Sequence, residues 1–197
     1  MLHYTAMASA AAACEWLCAE KAQVSAHYVI AEDGRSWQLV EEDQRAWHAG
    51  TGQWGEITDM NSRSIGIELA NTGAHPFPEP QMAALETLLR AIRDRHAIPP
   101  GRVIGHSDFA IGRKIDPGPR FDWARLARRG LALDPIPAEP QPITASAHAA
   151  GYRWQDGQED ALLQALRFRL RPGHEGPEDD TDRRLAAGFA AALRAGG

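Results

Sequence analysis

The clearest candidate for chemistry is a short loop that carries a histidine, a lysine and an aspartate. Within residues 105–119, His106 is followed by Lys114 and Asp116, and glycine and proline residues stiffen the segment. A catalytic zinc site needs three protein ligands, usually His, Asp, Glu or Cys, and one position open for water. His106 and Asp116 are suitable ligands, but an aspartate before a proline is also a common turn residue. The spacing alone therefore leaves both interpretations open.

A single glutamate stands inside an apolar stretch. In residues 64–70 (SIGIELA) two isoleucines and a leucine alternate with other residues, which predicts a β-strand. On that strand Glu68 shares a face with Gly66 and Ala70, whose small side chains leave space around the carboxylate. Glu68 is then either a carboxylate on the solvent face of a sheet or a general base directed into a cleft.

The eight histidines fall into two groups by context. His3 and His106 lie at the ends of predicted strands, His27 alternates with Tyr28, and His48 follows Trp47. The other four lie in polar, Pro/Gly-rich or helix-end surroundings and are expected on the surface: His75, His96, His148 and His174. The first group can include metal ligands or structural histidines bonded to the backbone.

Short strands and helices alternate along the first 130 residues. Strands are predicted at residues 2–5, 25–31, 36–40, 64–70 and 102–106, and the second and third form a hairpin. Helices are predicted at residues 10–19, with Ser9 as a possible N-cap, at 79–96, with an apolar stripe, and at 121–129. This interleaving predicts a mixed α/β fold in which helices pack on a mixed β-sheet.

A change in composition divides the chain after about residue 130. Residues 131–144 contain four prolines without hydrophobic periodicity, which predicts a linker. Residues 145–197 contain two amphipathic stretches, at about 159–170 and 181–193, which predict a small helical module. The predicted organisation is a main domain at 1–130, a linker at 131–144 and a module at 145–197 that leans on the main domain, because so short a segment is marginal alone.

Charge and hydropathy exclude several classes of function. The net charge is −5 and no run of lysine and arginine stands out, so no nucleic-acid partner is expected. No apolar stretch approaches the roughly 18 residues that span a bilayer, and no signal peptide is visible. A cytoplasmic monomer is expected, or a periplasmic protein if the native start lies upstream of Met1.

Seven stretches occur in one order along residues 2–125: LHYTAM, VSAHYVI, DGRSWQLV, RAWHAG, NSRSIGIELAN, PFPEPQMAAL and VIGHSDFAIGRKIDPGPRFDW. Together they resemble the zinc-dependent N-acetylmuramoyl-L-alanine amidases of the AmpD and AmiD type, the amidase-2 family. The resemblance implies a central mixed β-sheet flanked by helices, with Zn²⁺ in a groove. The implied reaction is hydrolysis of the amide between the muramic acid lactyl group and L-alanine, in intact peptidoglycan or in anhydromuramyl fragments.

The resemblance also implies roles for individual residues. His3, His106 and Asp116 match the zinc ligands, and Glu68 matches the catalytic carboxylate, which transfers protons between water and the leaving amine. Lys114 matches the lysine that faces the scissile carbonyl and stabilises the oxyanion. Candidates for contacts in the substrate groove are His27, His48, Trp47, Asn61 and Arg63.

Three expectations follow from the details of the match. The family fold also occurs in peptidoglycan recognition proteins that bind muropeptides without cutting them, which is the alternative function. His3 would sit on a frayed terminus unless its strand is held in the sheet. The segment ALRFRLRPGHEGPEDDTDRRLAA is similar to a small three-helix peptidoglycan-binding module, although a helical appendage that only stabilises the fold is an equal alternative.

Overall fold

Four short strands form one mixed β-sheet in a computed structural model that describes residues 1–133 and 136–196. They are β1 (Leu2–Tyr4), β2 (Tyr28–Ile30), β3 (Ser36–Gln38) and β4 (Ile67–Leu69), in the spatial order β1-β4-β2-β3. β4 is parallel to β1 and to β2, and β2 and β3 form the predicted antiparallel hairpin. The register pairs His3 with Glu68, so these two side chains lie beside each other on one face of the sheet.

The described residues also form seven α-helices. They are α1 (Ala10–Leu17), α2 (Glu79–His96), α3 (His106–Phe109), α4 (Trp123–Arg128), α5 (Ile143–Ala150), α6 (Glu159–Leu170) and α7 (Asp180–Ala195). Ser9 caps α1 as predicted, because its hydroxyl accepts from the Ala12 N–H. The apolar stripe of α2 is buried against the sheet, and the buried Gln81 amide donates to the carbonyls of Ile30 and Ala70. Each of these helices is too short or too polar to cross a membrane.

The predicted strand at 102–106 is wrong. The chain instead forms a 3-10 turn at Pro100–Arg102, makes a single bridge between Gly105 and Leu2, and enters α3 at His106. The cause is Asp108, whose carboxylate accepts from the Gly105 N–H and begins a helical turn where a strand would have continued.

β1 is held on both sides. Leu2 N–H donates to the Ile104 carbonyl on one side, and the Ile67 N–H donates to the Met1 carbonyl on the other. Leu2 and His3 are accordingly buried. The strand that carries His3 is therefore fixed in the structure and not frayed.

The C-terminal helices share a core with the rest of the chain. α6 and α7 lie where the sequence predicts helices, but α5 was not predicted and begins inside the expected linker. α5 buries one large apolar residue, Ile143, and otherwise only the small Ser146, Ala147 and Ala150, so its sequence shows no apolar stripe of helical period. One apolar cluster combines early and late residues: Met1, Ala49, Ile104, Phe109, Ala147, Leu162 and Phe189. Leu131 and Ala132 of the expected linker are also buried, whereas positions 134 and 135 lie outside the described residues.

Candidate metal centre

The structure brings three ligand-type atoms from distant parts of the chain to one point. His3 Nδ1 lies 3.0 Å from His106 Nδ1, and Asp116 Oδ2 lies 2.9 Å from the former and 3.0 Å from the latter. β1 supplies His3, the start of α3 supplies His106, and the loop after α3 supplies Asp116. All three side chains are buried. Two imidazoles and one carboxylate this close together could hold a metal ion.

Backbone contacts fix how His106 and Asp116 are presented. The Ser107 N–H donates to the Asp116 carbonyl at 2.8 Å, which ties the ligand loop to the first turn of α3. His106 Nε2 lies 2.8 Å from the carbonyl oxygen of Ala49. A carbonyl only accepts, so Nε2 carries the proton and Nδ1 presents a lone pair.

A relay of hydrogen-bonded side chains fixes the tautomer of His3. Its Nε2 lies 3.0 Å from His48 Nδ1, and His48 Nε2 lies 3.3 Å from the Ser64 hydroxyl, which itself donates to the Met60 carbonyl. The consistent assignment has His48 donating from Nε2 and accepting at Nδ1 from the protonated Nε2 of His3. His3 Nδ1 then also presents a lone pair.

The donor set fits a bound cation. Two imidazole lone pairs and one carboxylate oxygen face each other within 3.0 Å without a proton between them, and such an arrangement is repulsive unless a cation lies among them. Each imidazole also has its second nitrogen bonded elsewhere, as metal-ligating histidines usually do. Gly66 makes room for this relay, because a Cβ there would lie 2.5 Å from the His48 ring.

The protonation states at neutral pH suit metal binding. Burial and the neighbouring His106 lower the pKa of His3 to about 4, so its ring is neutral. In metal-free protein, burial opposes ionisation of Asp116, but hydrogen bonds that His106 and His3 can donate to it in their other tautomers outweigh burial and hold its pKa well below the usual range. Metal ligands must be in these forms, a neutral imidazole and an ionised carboxylate.

Glu68 lies beside these three candidate ligands in a different electrostatic setting. Burial and the charge of Asp116 raise the pKa of Glu68 to about 8, against the opposing charge of Lys114. Its Oε2 atom is buried and has no hydrogen-bond partner among the described residues. A carboxyl group in this position titrates near neutral pH, which is the range that general acid–base catalysis requires.

An open groove of about 560 Å³ leads to these residues. His3, His48, Glu68, His106, Lys114 and Asp116 line it. Apolar side chains that are unusually exposed stand around its rim: Trp16, Val24, Trp47 and Ile115. The guanidinium of Arg45 lies 4.2 Å from the centre of the Trp47 ring and holds that ring in place.

The other predicted groove residues lie outside the walls of the groove. His27 is bonded to the backbone at both nitrogens, accepting from the Gly66 N–H and donating to the Gln44 carbonyl. Arg63 is exposed after the 3-10 turn Met60–Ser62.

Asn61 has a structural position that the sequence analysis did not predict. Its buried Oδ1 accepts from the N–H groups of His48 and Ala49, at 2.9 and 2.8 Å. These two residues contact the ligands His3 and His106 in turn. Asn61 therefore supports the site from behind.

Arg113 is a lining residue that sequence reasoning missed. Its guanidinium donates to the carbonyls of Thr51 and Ala49 and so borders the groove next to His106. Its place immediately before Lys114 was the available signal, since successive residues of a tight loop can contact the same site.

Comparisons with known proteins identify the class of protein to which this fold and site belong. Residues 1–119 match the family described as N-acetylmuramoyl-L-alanine amidase, Amidase_2, and the chain belongs to this family. The family resemblance seen in the sequence is thereby confirmed.

Particular relatives show how far the similarity extends. N-acetylmuramoyl-L-alanine amidase AmiD of Escherichia coli is 41% identical over an alignment of 129 positions that covers 57% of this chain and 47% of that protein. The 1,6-anhydro-N-acetylmuramyl-L-alanine amidase AmpD of Escherichia coli is 44% identical over 104 residues, 53% of this chain and 57% of that protein. The chain thus spans about half the length of the curated relatives it matches.

One solved structure matches nearly the whole chain. The structure of Escherichia coli AmiD in complex with the substrate anhydro-N-acetylmuramic acid-L-Ala-D-gamma-Glu-L-Lys has a TM-score of 0.85 and 31% identity, covering 98% of this chain and 86% of that chain. The match therefore includes the C-terminal helices as well as the amidase region.

Proposed function

We propose that this protein is a zinc-dependent N-acetylmuramoyl-L-alanine amidase that hydrolyses the amide between a muramyl lactyl group and L-alanine. The observation that carries the proposal is the convergence of His3, His106 and Asp116 within 3.0 Å of one another, next to Glu68, which is half-buried and has a buried Oε2 atom. Family membership and the muropeptide bound to AmiD support the substrate class.

Zinc is the metal that this donor set favours. Two imidazoles and one carboxylate are borderline to hard ligands, and three protein ligands are typical of catalytic zinc sites. The chemistry that zinc supplies when bound is a water molecule of lowered pKa and polarisation of a substrate carbonyl.

Residues of the chain itself transfer the protons, stabilise the developing charge and contact the substrate. Glu68 accepts a proton from the attacking water and returns one to the amine of the departing alanine; the charge of a bound cation would lower its raised pKa and so favour the ionised form that accepts the proton. Lys114 lies in the groove wall, where its ammonium stabilises the negative charge that develops on the amide oxygen. Trp47 and His48 line the groove, and there Trp47 offers an apolar face to the substrate.

The test is release of free stem peptide from a purified muramyl peptide, measured beside the metal content of the protein. We expect one zinc per chain, cleavage that EDTA abolishes, and recovery on addition of zinc. His106→Ala should lose the metal, whereas Glu68→Ala and Lys114→Ala should keep it and lose most turnover. Protein that binds zinc and the muramyl peptide but releases no peptide would instead be a recognition protein of the same fold.

A second assay addresses the size of the substrate. The same protein is supplied with an anhydromuramyl peptide and with intact peptidoglycan sacculi, and release of peptide is compared. We expect cleavage of the soluble fragment, since a muropeptide of that kind occupies AmiD. Comparable release from sacculi would extend the substrate class to the polymer.

A further inference from the structure

A buried polar network joins the C-terminal helices to the turn that carries a metal ligand. α3 is only four residues long and presents His106 at its first position. Asp108 caps the N-terminus of this helix, because its Oδ2 accepts from the Gly105 N–H at 2.8 Å. The same turn holds the Asp116 carbonyl through the Ser107 N–H. The orientation of Asp108 therefore bears on two of the three ligands.

Two of the donors to Asp108 come from beyond residue 150. Arg169 Nη1 lies 2.9 Å from Asp108 Oδ2, and the Tyr152 hydroxyl donates to Asp108 Oδ1 at 2.7 Å. All three side chains are almost completely buried. A buried carboxylate without its partners is strongly unfavourable, so both donors stabilise Asp108 in its observed position.

Arg169 is itself rigidly held. Its Nη2 donates to the Val103 carbonyl at 3.0 Å, just before the ligand segment. Its guanidinium carbon lies 4.0 Å from the centre of the Trp123 ring and 4.8 Å from that of Phe189. The planar fork thus clamps residues 103 and 108, one on each side of His106.

We propose that Arg169 and Tyr152 are positioning residues for the metal centre, acting through Asp108 on the turn that presents His106 and restrains Asp116. The C-terminal helices are then a structural part of the metal site. The inference rests on the proposed function for the presence of a metal, but it concerns metal affinity and not hydrolysis.

The experiment measures zinc affinity of the full chain by competition with a chromogenic chelator, and the visible spectrum of the Co²⁺-substituted protein. Arg169→Gln is expected to weaken zinc binding about tenfold or more and to alter the Co²⁺ spectrum. Tyr152→Phe keeps the ring and removes one hydrogen bond, so a smaller loss in the same direction is expected. Arg169→Lys keeps the charge without the fork and should recover only part of the affinity.

Arg167→Gln is the matched control. Arg167 is a buried arginine two residues away on α6, but it pairs with Asp182 and the carbonyls of Gly176 and Pro177, away from Asp108. It should lower thermal stability and leave zinc affinity and the Co²⁺ spectrum unchanged.

Two results would overturn the inference. One is wild-type affinity and spectrum in folded Tyr152→Phe and Arg169→Gln. The other is an equal loss of affinity in Arg167→Gln, which would indicate general destabilisation. Should Arg169→Gln fail to fold, Tyr152→Phe decides alone. Wild-type protein that binds zinc without cutting muramyl peptide would end the amidase proposal and leave this inference standing.

Discussion

At the scale of single residues, the site combines two carboxyl groups whose surroundings shift their pKa values in opposite directions, although burial alone would raise both. The neighbouring His106 and His3 favour the ionised form of Asp116, whereas Glu68 has an oxygen without a partner in the described part of the chain and a pKa of about 8. Neighbouring carboxyl groups with separated pKa values can take different roles, one as a permanent ligand and the other as a proton carrier. A carboxyl oxygen that is buried without a partner among the described residues, as Oε2 of Glu68 is, also costs stability.

That cost gives a prediction for Glu68→Gln in metal-free protein. An unfolded glutamate ionises near pH 4.5, but Glu68 in the folded protein stays protonated up to about pH 8, so wild type loses stability as pH rises between these values. The variant lacks this loss and should gain roughly 1–3 kcal/mol in the free energy of unfolding at pH 7, with little gain near pH 4.5. Urea unfolding at the two pH values measures it.

The same substitution is also expected to change the kinetics. Turnover should fall by about two to four orders of magnitude, the usual contribution of a general base. Glu15→Gln, an exposed glutamate on α1, is the control and should change neither property. Equal stabilities of wild type and Glu68→Gln at pH 7 would contradict the raised pKa of this carboxyl group.

Local patterns could suggest some of these residues but not their assembly. Spacing alone left His106 and Asp116 between a metal site and an ordinary turn, because His3 lies 103 and 113 residues away from its two partners. Only the resemblance to the family supplied the full set. The tie from Asn61 to His48 and Ala49 was not foreseen, because hydrogen bonds to backbone leave no periodic pattern in a sequence.

At the scale of elements, prediction succeeded where side chains carry a strong period. α2 occupies residues 79–96 as predicted, since its apolar stripe and the prolines at both ends leave few alternatives. The strand expected at 102–106 failed because a side-chain cap, which depends on tertiary placement, overrode β-propensity. α5 was missed because, apart from Ile143 at its start, it buries only alanine and serine.

A glycine in α7 gives the prediction at this scale. A helical Gly→Ala change normally stabilises by about 1 kcal/mol. At position 188, however, a Cβ would clash with the Ile136 carbonyl oxygen and lie 2.8 Å from its carbon. That segment is pinned across α7, since Ala138 N–H donates to the Arg184 carbonyl. Gly188→Ala should therefore destabilise by about 1–3 kcal/mol, measured by urea unfolding.

The exposed Ala191 on the same helix supplies the comparison. Ala191→Gly should cost about 0.5–1 kcal/mol, which is the effect of helix propensity without a contact. If Gly188→Ala were instead stabilising, residues 136–138 would not lie against α7 as described.

At the scale of the whole molecule, the expected main domain and module are joined by more than a linker. The apolar cluster that contains Leu162 of α6 also contains Met1, Ile104 and Phe109. The buried pair of Arg169 and Asp108 crosses the same boundary. Elements that share a core this closely unfold together, because neither part can expose its half of the cluster without loss.

Two leucine variants test this coupling. Leu162 lies in the shared cluster, and Leu85 lies in a second cluster between α2 and the sheet; both are fully buried. Leu162→Ala and Leu85→Ala should each cost about 2–5 kcal/mol, and each should shift a single calorimetric transition of the entire chain. Were residues 145–196 an independent module, Leu162→Ala would split the transition and leave unfolding of residues 1–130 at its wild-type temperature. Hydrogen exchange at the amides of β4, far from Leu162 in sequence, reports the difference directly: faster exchange in Leu162→Ala follows from the shared core, and unchanged exchange would contradict it.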